Sequence, residues 1–392
     1  MILEDSVHNR LASFAGGGSM TRQPLNTRDV PLSAHHQPLF HAVGAGASAR
    51  CKRASPPQRA VCRAYSDCAS SRIALSSAGF YPLSAPSGYN RYMPKTASLV
   101  AVQMQYRLED YRSAEAFRER VLGVMRAVRQ RAPKGDLVVV FPEDVGLGLI
   151  FTQDFERVQT AKTMVEAGLR LMERYQINAF ATEGGFAGAT RTLLRTLSPF
   201  VERVYHEVFS EAARVGGAWV VAGSAPIAQG ECVHNVSYTY NPKGERVLVQ
   251  RKINLVPLEQ EAGLNLCPAP RELPTVNTPV GKLGVLICLD GFYHELIDQH
   301  AKRGVRVIAM PSYNPLPWTK EEAQGWETGL LAGVQKHPDM IGVNPMGVGG
   351  FFDVRAEGQS SIVAPRARTP DGSGYLARAK SRDQEEVLIH PI

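Results

Sequence analysis

No stretch of this chain approaches the roughly 18 consecutive apolar residues that a membrane-spanning helix needs. Runs such as Leu137 to Phe141 and Val285 to Cys288 are strand-sized, so no transmembrane segment and no membrane partner is expected. Cysteine is scarce: six residues, at 51, 62, 68, 232, 267 and 288, show neither a CxxC pair nor the dense framework of a disulfide-stapled domain. That usage fits a reducing compartment and a cytoplasmic protein. His206 and His234 have no metal-ligand spacing around them, and Gly184-Gly185 and Gly349-Gly350 lack the pattern of a phosphate-cradling loop. Acidic residues are nearly missing from the first 95 positions, which hold four (Glu4, Asp5, Asp29, Asp67) against eleven Lys and Arg. The whole net charge of +7 therefore sits there, and the remainder balances at 33 against 33. A neutral remainder argues against a nucleic-acid-binding face.

What is present is an ordinary globular composition, 44% hydrophobic and 21% charged over 392 residues. Residues 1–95, rich in Ala, Ser, Gly, Arg, Pro and His without apolar period, are expected to be disordered; a transit peptide and an over-extended start upstream of Met93 fit them equally well. From Ala97 the pattern alternates. Strands are predicted at Ala97–Gln105, Leu137–Phe141, Trp219–Gly223, Leu283–Cys288 and Val305–Met310, and helices at Ala114–Arg131, Met164–Tyr175, Val201–Val215 and Tyr293–Arg303. Val236–Tyr240 and Arg246–Gln250 flank the turn residues Asn241-Pro-Lys-Gly244, a hairpin. Alternating strands and helices with an added hairpin imply a layered α/β domain.

Three residues stand where chemistry could occur. Cys288 closes an apolar strand ahead of a helical stretch, a corner that exposes a thiol, although for this residue alone a small buried core cysteine is the preferred explanation. Glu143 emerges from the end of Val138-Val-Val-Phe-Pro, where α/β sheets carry sites; its bland alternative is a solvated loop acid, and Asp144 competes with it. Lys252 ends the second hairpin strand beside Arg251, and a strand points the two in opposite directions. An inward ammonium could hold an oxyanion, and an outward one would be an ordinary surface lysine.

Taken together, Phe141-Pro-Glu143, Arg251-Lys-Ile-Asn-Leu-Val-Pro257 and Gly284-Val-Leu-Ile-Cys-Leu-Asp290 resemble, in order and strand context, the three signature segments of the nitrilase superfamily. Trp219-Val-Val-Ala-Gly-Ser224, Asn235, Met310-Pro-Ser312 and Gly358-Gln-Ser-Ser361 support the resemblance, which covers residues 96–392. It implies a four-layer α-β-β-α sandwich, commonly paired as a homodimer of eight layers, with no metal or organic cofactor. Cys288 would be the nucleophile, Glu143 the general base and acid, and Lys252 with the backbone N–H of Leu289 the oxyanion holders. A second glutamate is expected shortly after the lysine; Glu259 is preferred to Glu261, and either could be a plain surface acid.

The expected reaction is cysteine-dependent hydrolysis of an amide or carbamoyl group through a thioester. Nitrilases place Trp-Glu after the cysteine, whereas this chain has Leu289-Asp290, so an aliphatic nitrilase is the alternative and a non-catalytic protein on the same fold a more remote one. Compared with the amidase pattern Cys-x-Asp-x-Arg-x-Pro-Glu, Asp290 and Glu295 are kept while Phe292 and His294 replace Arg and Pro. The partner is then a small amide, ureide or nitrile. Leu289, Phe292 and Tyr313 are expected to contact it, with Tyr293, Trp318 and Trp326 as further aromatics for a flat or apolar acyl group.

Overall fold

The computed structural model describes residues 96–392 apart from Ala262. The expectations about residues 1–95 lie outside the described residues. Two sheets face each other. The first has seven strands, in the order Glu386–Pro391, Ala97–Gln103, Asp136–Val140, Trp219–Val221, Cys232–Tyr240, Ala225–Gln229, with Arg246–Arg251 also paired to Cys232–Tyr240. The second has six: Tyr375–Arg378, Ser361–Val363, Ile341–Asn344, Val307–Ala309, Gly281–Val285, Thr275–Thr278. In each sheet the central strands run parallel and the edges antiparallel.

Alternation along the strands builds the layers. In the first strand Leu99 and Ala101 face the second sheet, while Val100 and Val102 face the helices behind; Val138 and Val140 against Leu137 and Val139 repeat the division. A strand buried on both faces reads as a continuous apolar run, which is why these segments showed no polar alternation. Leu283, Val285, Val307, Ala309 and Val343 complete the inter-sheet layer from the other side. Helices Ala114–Arg131 and Gly185–Gly216 cover the first sheet, and His294–Lys302 with Leu330–Val334 covers the second. The result is the α-β-β-α sandwich expected from the sequence.

Several boundaries differ, among them the end of the strand before Cys288, which closes at Val285, and two others change the architecture. The first strand stops at Gln103, and Gln105–Tyr106 instead joins a small third sheet with Met346–Phe351, which also carries Ser312–Tyr313 and Val354–Ala356. The helix expected from Val201 begins at Gly185 and runs straight through Pro199. A proline inside a helix forfeits a hydrogen bond and costs about 3 kcal/mol. Here Leu193, Leu194, Leu197, Val201, Val204 and Val208 continue one buried stripe across it, and that burial outweighs the cost.

Candidate active site

The site lies beyond the carboxyl ends of parallel strands in the two sheets. Glu143 follows Asp136–Val140, and the turn there is held from both sides: the Tyr106 hydroxyl donates to the Glu143 carbonyl, and the Asp144 N–H donates to Ser224 Oγ at 3.0 Å. Cys288 follows Gly281–Val285 and opens a short 3-10 turn. Both Asp144 (φ 61°) and Cys288 (φ 49°) adopt the left-handed backbone that non-glycine residues seldom occupy. Such conformations persist only where the surroundings enforce them, and they cluster at functional sites. At Cys288 the N–H donates to the Pro311 carbonyl at 2.8 Å, while the thiol lies 3.9 Å from the Tyr313 carbonyl oxygen.

Lys252 lies immediately beyond Arg246–Arg251, and the two cations diverge as the strand geometry requires. Arg251 turns outward to Glu272 at 3.0 Å, whereas Lys252 is only 1% exposed. Its Nζ sits 2.7 Å from Glu143 Oε1 and 2.6 Å from Glu259 Oε2. Glu259 is buried and Glu261 exposed, so the structure brings the first, not the second, to the lysine. Asn235 completes the group: its Nδ2 donates to Glu143 Oε1 at 3.0 Å and to Glu259 Oε1 at 2.7 Å. Two carboxylates thus share one ammonium and one amide, which offsets the cost of burying charge. Asn235 had been noted only as part of a supporting stretch; the signal of its position is a run of buried polar residues, Asn235, Ser237 and Thr239, on one face of an otherwise apolar strand.

Burial and Glu143 together push the Cys288 thiol well above its usual range, so the resting group is a thiol. Burial raises Glu143 to about 7, with Lys252 the main opposing influence. Burial also works to lower Lys252, but Glu143, Glu259 and Cys288 together hold it well above its usual value. The arrangement is a protonated thiol facing a carboxyl poised near neutrality, beside a fixed cation.

Of the expected substrate contacts, Tyr313 is half-buried with its ring stacked 5.8 Å from that of Tyr106, and Leu289 is half-buried in the turn begun by Cys288. Phe292 packs into the layer between the second sheet and its helices, edge-on to Trp326 at 5.3 Å and against Gly329. Its contacts are those of a packing residue. Trp318 lies 6.0 Å from Trp326. Among the described residues no group of three or more His, Cys, Asp or Glu could hold a metal ion, and no helix is long and apolar enough to cross a membrane. One expectation is corrected: Cys232 and Cys267 form a disulfide. A separation of 35 residues leaves no local motif, and the reading of a reducing compartment loses its support from cysteine usage.

A family profile described as carbon-nitrogen hydrolase matches residues 99–392. The chain belongs to this family. Among curated carbon–nitrogen hydrolase relatives, an omega-amidase of Danio rerio is 31% identical over 111 residues, covering 27% of this chain and 40% of the relative. A deaminated glutathione amidase of Homo sapiens is 28% identical over 117 residues, covering 27% and 36%. The matches thus span well under half the length of these relatives. Among solved structures, an amidase from Nesterenkonia sp. AN1, carrying an acetamide moiety on its active-site cysteine, superposes with a TM-score of 0.52 at 15% identity over 76% of this chain and 92% of that one. That likeness is one of fold.

Proposed function

We propose that residues 96–392 form a hydrolase domain that cleaves amide or carbamoyl C–N bonds through a thioester on Cys288. The observation that carries this reading is the closed arrangement of Glu143, Lys252 and Glu259 beside a buried thiol on a strained turn. Glu143 takes the thiol proton as sulfur bonds to the acyl carbon. Lys252 and the N–H of Leu289 hold the resulting oxyanion. Collapse breaks the C–N bond, and Glu143 returns the proton to the leaving ammonia or amine. Water, deprotonated by Glu143, then hydrolyses the thioester and the thiol is restored. Glu259 keeps Lys252 charged and fixed.

Half-buried Asp144 adjoins Glu143, and burial raises its carboxyl well above the usual range, so it joins the site as a neutral group. With Glu259 paired to Lys252, the neutral Asp144 and the ring of Tyr313 favour an uncharged acyl group over an anionic one. Exposed apolar side chains such as Phe180, Val165 and Leu169 are consistent with a homodimer.

The test is an ammonia-release screen of amides, ureides and nitriles, with acyl chains that are neutral or end in carboxylate. Neutral amides are expected to show the highest kcat/KM. Cys288→Ala abolishes turnover with the fold intact, and Glu143→Gln and Lys252→Ala each lower kcat by about two orders of magnitude or more. Substantial hydrolysis by Cys288→Ala would overturn the assignment, and ammonia from nitriles alone would replace it with the nitrilase reading.

A further inference from the structure

Asp290 is fully buried, and none of the chemistry above uses it. It lies two residues after the thiol, in the turn Cys288–Phe292. Its Oδ2 accepts from the Ile253 N–H at 3.1 Å; its Oδ1 accepts from the Asn254 N–H at 2.7 Å and from Asn254 Nδ2 at 2.9 Å. Ile253 and Asn254 are the two residues that follow Lys252. No other hydrogen bonds join these two segments among the described residues. The Lys252 backbone is otherwise held by the first sheet and the segment after Cys267, its N–H donating to the Asn235 carbonyl at 2.9 Å and its carbonyl accepting from the Ala269 N–H at 3.0 Å. The thiol belongs to the second sheet and the ammonium to the first, so their spacing depends on a link across the inter-sheet layer.

We infer that Asp290 is a positioning residue, whose carboxylate clips the turn bearing Cys288 to the strand end bearing Lys252 and so sets the distance between thiol and ammonium. The inference rests on the proposed function for what that distance accomplishes, and on the hydrogen bonds for the link itself. A carboxylate suits the task because three donors converge on its two oxygens, and charge-assisted bonds of this kind are shorter and stronger than neutral ones. An amide of the same shape turns one acceptor into a donor that faces N–H groups.

Asp290→Asn is therefore expected to lower kcat at least tenfold with KM within about threefold, after correction for the active fraction by titration of the thiol. Asn254→Ala, at a half-buried position that removes one donor, lowers kcat less and in the same direction. The decisive comparison is the double variant. If Asp290 acts through Lys252, Asp290→Asn combined with Lys252→Ala is no slower than Lys252→Ala alone. A purely structural aspartate would lower the melting temperature or the active fraction and leave kcat per active site unchanged, or its loss would multiply with that of Lys252. Either result overturns the proposal. Labelling of Cys288 by iodoacetamide supplies a readout independent of hydrolysis: Asp290→Asn should slow it by moving the ammonium that stabilises the thiolate, and an unchanged rate overturns the clip even if the protein proves not to be an amidase.

Discussion

His300 illustrates what burial does to a single side chain. It is fully buried on the helix His294–Lys302, its ring pressed on Gly284, where an added Cβ would come within 2.4 Å of Cε1. Burial, with Arg303 assisting, pushes the imidazole down to about 4. A basic group depressed in the folded state leaves the unfolded chain to bind the extra proton, so stability falls as pH drops from about 6.5 toward 4. At about 1.4 kcal/mol per unit the loss is on the order of 2 to 3 kcal/mol. Glu143 and Asp290, raised by burial to about 7 and about 6, work the other way, since the folded state holds their protons and is penalised as pH rises. The prediction is thus a comparison: as pH falls from 6.5 to 4.5, the melting temperature of His300→Leu should improve steadily relative to the unmodified protein, and a constant difference between the two curves would refute it. Glu143, Lys252 and Cys288 were legible as candidates in the sequence because each stands at or shortly past a strand end, and strand direction separated Lys252 from Arg251. The hydrogen bonds of Asn235 to Glu143 and of Asp290 to Asn254 join residues 92 and 36 apart, and no local pattern encodes them.

At the scale of elements, the segment after Lys252 matters most. Pro257–Glu259 brings in the second carboxylate, and the chain then returns to Cys267, whose N–H donates to Val233 and whose sulfur is bonded to Cys232. The His234 ring meets the Cys267 carbonyl at 2.8 Å. The loop holding Glu259 is thereby fastened to the strand holding Asn235. Closing 35 residues restricts the unfolded chain by an amount corresponding to about 3 to 4 kcal/mol on the chain-entropy scale. Reduction, or Cys232→Ser with Cys267→Ser, should lower the melting temperature by several degrees, and kcat should fall as Glu259 loosens. Unchanged melting under reductant would show that the bridge contributes nothing. The types of the elements named from apolar period, as far as Val305–Met310, were readable; those beyond, such as Lys320–Glu327 and Glu386–Pro391, were not named. The reading failed where tertiary burial overrode a local rule, as at Pro199, and where short strands such as Ser361–Val363 depend on partners far along the chain.

For the whole molecule, the separation of charge makes a simple prediction. Residues 1–92 hold all but one of the seven excess positive charges and offer few apolar clusters to offset ordering entropy, and the residues gathered at the site all lie beyond them. A chain starting at Met93 should therefore keep its melting temperature, and its kcat/KM within about twofold. Thermal melts, sizing chromatography and kinetics on both forms check this, and a clear drop in melting temperature or a change of oligomeric state would show that the extension is structural. The pairing of Ala97–Gln103 with Glu386–Pro391 bears on how the molecule is made. The strand translated first in the described domain has one neighbour, Asp136–Val140, soon after it, but its other edge stays open until about 290 further residues have been synthesised. On the ribosome that edge is an unpaired apolar template, of the kind chaperones cover, until Glu386–Pro391 has emerged to pair with it.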